Sequence, residues 1–371
     1  QGLEDSAIRL ARSVHYRSAG TVEFIYDEKD GQYYFLEVNT RLQVEHGVTE
    51  EVQGVDLVDW MIQLASGDLT DLSLPTDRPG GHSIEARIYA ENPAQNFQPS
   101  SGLLNHVRFP DGVRCDHWIS SGSEISPFYD PLLAKIIVHE ETREKALIAL
   151  EKALRETELY GIETNLDYLA ALAGSALLQE NRMTTRSLED FTYDSRMVDV
   201  LKGGTQTTVQ DYPGRLGFWD VGVPPSGPMD PLSFRLGNRL LGNSSEAAGL
   251  EITAQGPKLR FHSETTIVLT GAQTQATLDG EEVPFWTPIP VAADSVLDVG
   301  QVVDAGMRAY LCFAGGLDIA SYLGSKSTFT LGQFGGHAGR ALQVGDVLRL
   351  TANQEATPKD ALAGTLRPNW G

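Results

Sequence analysis

Apolar residues recur at helical spacing from the start of the chain, at Ile8, Ala11 and Val14, behind Asp5 or Ser6, either of which can cap a helix that ends near Gly20. The period then changes. Residues 21–26 and 33–38 are rich in aromatic and β-branched side chains and flank the polar turn Asp27-Glu28-Lys29-Asp30-Gly31, which predicts a hairpin. Helical patterning returns over 57–64, and the Pro- and Gly-containing stretch 74–81 reads as a connection between domains. From 82 to 138 short strand-like segments alternate with turns, and 142–159 predicts an amphipathic helix with Leu147, Leu150 and Leu154 on one face. This middle part reads as an α+β domain. Beyond the polar stretch 184–196 the chain becomes Gly-rich, with 24 of its 37 glycines in the last 174 residues, amid short apolar runs such as 266–270 and 309–313. Many short strands with tight turns imply a β-rich barrel or sandwich.

Length and charge sharpen this division. At 371 residues the chain is too long for one ordinary core, so two or three domains are expected. With 50 acidic residues against 29 Lys and Arg, its net charge of −21 repels phosphate backbones and anionic lipid surfaces, which argues against nucleic acid and membranes as partners. The acidity is uneven: residues 1–197 carry 33 acids and 17 bases, residues 198–371 carry 17 and 12. Cys115 and Cys312 fit no thiolate-metal spacing and read as two small buried hydrophobes, which points weakly to a reducing, cytoplasmic compartment. No apolar run reaches the roughly 18 to 20 residues that span a bilayer. The chain opens at Gln1 in helical patterning without an initiator methionine, which reads as an internal fragment.

The chemistry concentrates in Phe35-Leu-Glu-Val-Asn-Thr-Arg-Leu-Gln-Val-Glu-His46, where Glu37, Asn39, Arg41, Gln43 and Glu45 fall at every second position. If extended, they share one face, backed by Leu36, Val38, Leu42 and Val44 on the other. Hairpin pairing can bring the Glu23 carboxylate near Glu37. Two carboxylates and an amide oxygen suit Mg²⁺, which holds nucleotide phosphates. Arg41 can fork onto a carboxylate, bicarbonate or phosphate, and Glu45 can act as a general base. On pattern alone, a solvated hairpin face reads the same way.

The run 37–46 closely resembles the signature of ATP-grasp biotin carboxylases. The resemblance implies that Glu23, Glu37 and Asn39 are ligands of Mg²⁺ or Mn²⁺ ions bridging the ATP phosphates. It implies that Gln43 and the Val44 backbone position bicarbonate, that Glu45 deprotonates it for attack on the γ-phosphate, and that the catalytic Arg41 grips the anion. His82-Ser-Ile-Glu-Ala-Arg87-Ile-Tyr-Ala-Glu-Asn92 resembles the family's second signature, which places Arg87 beside the ureido oxygen of biotin. Read without the family, Arg87 is a strand-end surface charge. Pro127-Phe-Tyr-Asp-Pro-Leu-Leu-Ala-Lys135 also matches, with Asp130 and Lys135 in structural roles around Arg87. Gly47 departs from the proline of many acyl-CoA and pyruvate carboxylases, which implies a looser backbone after the catalytic strand and a different subfamily.

Residues 197–215, 222–230 and 238–243 resemble the first part of the carboxyltransferase region of urea carboxylases, a family that includes the larger subunit of bacterial kinase-inhibitor and 5-oxoprolinase complexes. Composition alone gives only turns joining short strands. Gln210, Asp211, Ser226 and Asp230 are eligible by chemistry to hold urea. The implied architecture is multidomain α+β: the C-terminal part of an ATP-grasp unit at 1–75, a biotin carboxylase C-terminal domain at 80–192, and a barrel-like, Gly-rich carboxyltransferase domain at 197–371, the first and last incomplete. The implied reaction is ATP-dependent carboxylation of urea by bicarbonate, through carboxybiotin, to allophanate. Biotin would ride on a carrier domain elsewhere in the same polypeptide, allophanate hydrolase is a further candidate partner, and a homodimer is compatible with the resemblance. Guanidine or another small amide is the nearest rival acceptor. A carboxylase remnant fused to a kinase-inhibitor-like binding module is the competing class.

Overall fold

The predicted hairpin forms as β1 (Thr21–Asp27) paired antiparallel with β2 (Gln32–Asn39), and the Asp27 and Asp30 carboxylates accept the Lys29 and Gln32 N–H groups that close its turn. The computed structural model describes residues 2–69, 80–181, 183–189, 191–303 and 305–351. Helix α1 (Gly2–Ser13) starts before both expected caps and ends well before Gly20. Asp5 therefore lies in its first turn, where a carboxylate complements the helix dipole, and the Ser6 hydroxyl hydrogen-bonds the Tyr33 hydroxyl at 3.0 Å, tying the helix to the hairpin.

The single extended face expected over 37–45 does not form. Asn39 pairs with Thr21, the first residue of β1, so the chain has no strand to pair with beyond that point and leaves the sheet. Helix α2 (His46–Gln53) follows at once, with Glu45 at its N-cap position (φ −80°, ψ 9°). Arg41, Gln43 and Glu45 are loop and cap residues, not strand residues. Leu36 and Val38, which the alternation sets against a core, are exposed. Helix α3 (Leu57–Ser66) is capped by Asp56, whose carboxylate accepts from the Asp59 N–H, and it stops at Gly67 with φ +85°. The connection expected at 74–81 falls outside the described residues through position 79.

The middle unit is built on three antiparallel strands, β3 (His82–Tyr89), Leu132–Glu140 and Arg114–His117, with Leu132–Glu140 at the centre. Period two sorts the central strand. Ala134, Ile136 and Val138 join Ala86 and Ile88 against the helix Arg143–Glu156, whose buried face carries Leu147, Leu150 and Leu154. Each buried leucine is worth roughly 1.5–3 kcal/mol, and Leu154→Ala would cost about 2–5 kcal/mol with its cavity. On the opposite face Lys135 is in register with Arg87 and Asp116, and Ile137 with Glu85 and Arg114. That face receives α2 and the loop before it.

The last unit is two antiparallel sheets sharing one core, a sandwich rather than the barrel-like form expected; no closed barrel exists among the described residues. The six-stranded sheet has Val296–Asp298 and Lys258–Phe261 at its middle, the five-stranded one Arg308–Phe313 between Gly249–Thr253 and Thr265–Gly271. In Arg308–Phe313, Ala309, Leu311 and Phe313 face the shared core, while Tyr310 and Cys312 lie under the helix Pro231–Leu240 with Phe234 and Leu240. Burial on both faces explains the unbroken apolar run. Cys312 is buried, and that burial pushes its thiol up to about 12; Cys115 is only partly buried, at the edge of the middle core. No helix among the described residues is long and apolar enough to cross a membrane.

Candidate functional site

The residues singled out in the sequence gather into two clusters around the loop 40–45. The first sits at the open end of the hairpin. β1–β2 register sets Glu23 opposite Glu37, and the Asn39 amide nitrogen donates to Glu23 Oε1 at 2.7 Å and to Glu37 Oε1 at 3.2 Å. Gln43 Nε2 donates to the same Glu23 oxygen at 3.2 Å, pinning the loop to the strand it has left. Two carboxylates and a carboxamide on adjacent strands form a hard-oxygen set that fits a divalent cation once the amide turns its oxygen inward. Among the described residues no group of three His, Cys, Asp or Glu side chains is placed to hold a metal ion, so a cation here would need further oxygen ligands from outside these residues.

The second cluster joins the loop to the middle unit. Arg87 NH2 donates to Glu45 Oε2 at 2.5 Å, and its Nε lies 3.5 Å from Glu85. Lys135 Nζ donates to the Val44 carbonyl at 2.9 Å and lies 3.2 Å from Asp116 and 3.8 Å from Glu85. Glu85 is buried with neither carboxylate oxygen hydrogen-bonded; burial raises its pKa, and the nearby Lys135 and Arg87 oppose the rise. Arg114 clamps Glu50 and Glu51 of α2 at 2.8 and 3.2 Å and Asp116 at 3.1 Å. Arg41 touches only the edge of the first cluster, through Gln43. Its guanidinium reaches only the Leu42 carbonyl and the Gln43 side-chain oxygen, at 3.3 and 3.2 Å, so its charge is not committed to any carboxylate among the described residues.

Two expectations need correcting here. Gly47 does not loosen a strand end: it is buried in the first turn of α2, where an added Cβ would lie 2.3 Å from Ile137 Cδ1, so its role is close approach. Asp130 does not reach Arg87; its carboxylate accepts from the Leu132 N–H within its own turn. Glu85 and Arg114 carry no mark in the sequence pattern, and Lys135, expected to support the region of Arg87, also bonds the loop at Val44. The available signal was Lys135 itself, a charge inside the apolar run Leu-Leu-Ala-Lys-Ile-Ile-Val.

In the sandwich, the four eligible residues are largely occupied. The Asp211 carboxylate accepts from the Ser325 and Ser327 hydroxyls, both at 2.6 Å, and from the Lys326 N–H at 2.8 Å. Asp230 caps the helix Pro231–Leu240, and the Ser226 hydroxyl accepts from Arg215 at 3.0 Å. Only Gln210 keeps a buried amide oxygen without a partner. Arg215 is fully buried: it donates to the Tyr322, Ser325 and Ser327 carbonyls and stacks over Phe334 at 4.9 Å, holding 322–336 against 211–226.

Fold and site define a chain that joins a biotin carboxylase C-terminal domain to a carboxyltransferase domain. Residues 85–190 match the family profile of the biotin carboxylase C-terminal domain, 221–370 that of the carboxyltransferase domain, subdomain A and B, and 1–72 that of the carbamoyl-phosphate synthase L chain, ATP binding domain. Within that class the chain is urea carboxylase-like over nearly all of its length. It is 50% identical over 353 residues to the urea amidolyase of Saccharomyces cerevisiae, a match covering 95% of this chain and 19% of that protein. The solved K. lactis urea amidolyase superposes with a TM-score of 0.89 at 47% identity over 97% of this chain and 22% of that one. Kluyveromyces lactis urea carboxylase gives 0.88 at 47% identity, with 97% and 33% covered. The chain thus spans about a fifth of the length of the urea amidolyases it matches.

Proposed function

We propose that this chain is part of a cytoplasmic biotin-dependent ligase that carboxylates urea with bicarbonate and ATP, giving ADP, phosphate and allophanate. The observation that carries the reading is the pairing, on one chain, of the Glu45–Arg87 contact with a carboxyltransferase sandwich like that of urea carboxylases. The units are taken as 1–75, 80–192 and 197–371. Glu45 is the base that removes the bicarbonate proton, and its contact with Arg87 holds the carboxylate in place. Arg41, uncommitted to any carboxylate among the described residues, grips the anion, and Gln43 and the Val44 backbone orient it. Glu23, Glu37 and Asn39 would hold Mg²⁺ or Mn²⁺, which supplies charge neutralisation of the ATP phosphates. Biotin, when present on its carrier, would supply the group that takes up the carboxylate, and Arg87 would offer a donor to charge developing on its ureido oxygen.

The test is bicarbonate-dependent ATP hydrolysis by the full-length parent protein, with urea, guanidine or acetyl-CoA as acceptor, for wild type and Arg41→Ala. Stimulation by urea that disappears in the variant is expected. Stimulation by guanidine alone would move the acceptor, and stimulation by none of the three would overturn the reading.

A further inference from the structure

The polar face of the three-stranded sheet holds a buried cation that the mechanism above leaves unused. Lys135 is only 7% exposed, and an ammonium taken out of water is costly unless acceptors surround it. Asp116 and Glu85, on flanking strands, would satisfy a lysine whose purpose was to hold the sheet. Its shortest contact goes elsewhere, to the Val44 carbonyl at 2.9 Å, across 91 positions of sequence. The contacts then close a ring. From Val44 they pass to Lys135, from Lys135 to Glu85 at 3.8 Å, from Glu85 to Arg87 at 3.5 Å, and from Arg87 to Glu45 at 2.5 Å. The ring leaves the loop at residue 44 and returns to it at residue 45.

We propose that Lys135 is a positioning residue whose ammonium fixes the Val44 carbonyl and, through Glu85, the Arg87 guanidinium, so that residues 44 and 45 meet bicarbonate in one fixed geometry. The proposal rests on the carboxylase reading of this site. Glu85 makes the ring responsive to charge: it lies between the two cations, 3.8 Å from Lys135 and 3.5 Å from Arg87, and burial raises its pKa while both cations oppose the rise. Without Lys135 it takes up a proton more readily, and Arg87 loses the anion that balances Glu45.

The experiment compares Lys135→Met, Lys135→Arg and Glu85→Gln in the full-length parent protein, measuring bicarbonate-dependent ATP hydrolysis over a pH series. A misplaced loop should raise the KM for bicarbonate about tenfold in Lys135→Met while the KM for ATP stays within about twofold. The acidic limb of kcat/KM should move to higher pH, and Lys135→Arg should recover most of the loss. Glu85→Gln, which keeps the lysine and the side-chain shape, should show a smaller rise in the same KM and serves as the test if Lys135→Met does not fold. An unchanged KM for bicarbonate in the folded variants overturns the proposal. So does a parallel fall in all parameters that arginine does not rescue, since that is the signature of a scaffold lysine. Absence of bicarbonate-dependent hydrolysis in the wild type would overturn the carboxylase reading itself, and the proposal with it.

Discussion

Arg87 donates to Glu45 across 2.5 Å although the two lie 42 positions apart, one on a sheet strand and the other at a helix N-cap. The pairing holds a carboxylate that is 53% exposed in a single place beside a cation, which is what a proton acceptor facing a small anion requires. Glu45→Gln keeps the shape and removes the basicity. Bicarbonate-dependent ATP hydrolysis should fall about 10²- to 10⁴-fold. Nucleotide affinity, read by equilibrium titration, should stay unchanged; a variant that hydrolyses ATP at the wild-type rate would remove Glu45 from the base role.

Gly47 gives a prediction about packing rather than chemistry. The Cβ of alanine would meet Ile137 Cδ1 at 2.3 Å, and overpacking of this kind costs about 1–3 kcal/mol. The obstructing atom is the tip of a side chain, so Gly47→Ala should be destabilising but folded. Adding Ile137→Val, which deletes that atom, should restore most of the lost melting temperature. Equal melting points for Gly47→Ala and wild type would mean the helix shifts freely on the sheet.

The hairpin, the Leu57–Ser66 helix, the amphipathic helix of the middle unit and the β-rich character of the last were legible because each is encoded by a local period or a turn. The loop 40–45 was not. Its alternation is that of a strand, but a strand needs a partner, and whether β1 extends past Thr21 is a property of the hairpin rather than of residues 37–45. The motifs hold Glu23, Glu37, Asn39, Glu45 and Arg87, but nothing in their order along the chain shows how they divide between two clusters. Lys135, Glu85 and Arg114 act on the loop through sheet register, which no spacing along the chain reveals. Arg215 stood inside a stretch that composition reads only as turns.

Asp346 offers a pH-dependent test of the sandwich. Burial works against its charged form, but two Arg340 hydrogen bonds at 2.7 Å, His337 at 3.4 Å and the Gln343 N–H outweigh it and hold the carboxyl well below the usual carboxylate range. Because the folded-state pKa is depressed, this stabilisation is complete above the unfolded value of about 3.9 and is lost as pH falls through the folded one. Asp346→Asn should therefore cost about 1.5–3 kcal/mol in denaturant unfolding from neutral pH down to about pH 5, with the gap to wild type narrowing only below about pH 4. A gap that already closes between pH 7 and 5 would show that a depressed Asp346 carboxyl is not its source.

The junction between the middle unit and the sandwich turns on Arg349, partly buried on the strand Val347–Arg349, with Glu163 at 3.4 Å and Asp167 at 3.7 Å. Glu163 is itself buried, and burial raises its pKa against the pull of Arg349. Removing the arginine alone leaves the largely buried Glu163 carboxylate without its cation, so Arg349→Met should cost about 3–5 kcal/mol at pH 8. The cost should shrink towards pH 5, where a carboxyl with a raised pKa takes a proton and stops needing a partner. Replacing both partners removes the stranded charge, and Arg349→Met with Glu163→Met should recover at least half of the single-variant loss, leaving Asp167 to water at its half-exposed position. Strictly additive losses in that cycle, with no pH dependence, would show that Arg349 contributes through the packing of its stem and that the ion pair is incidental to how the two units are joined.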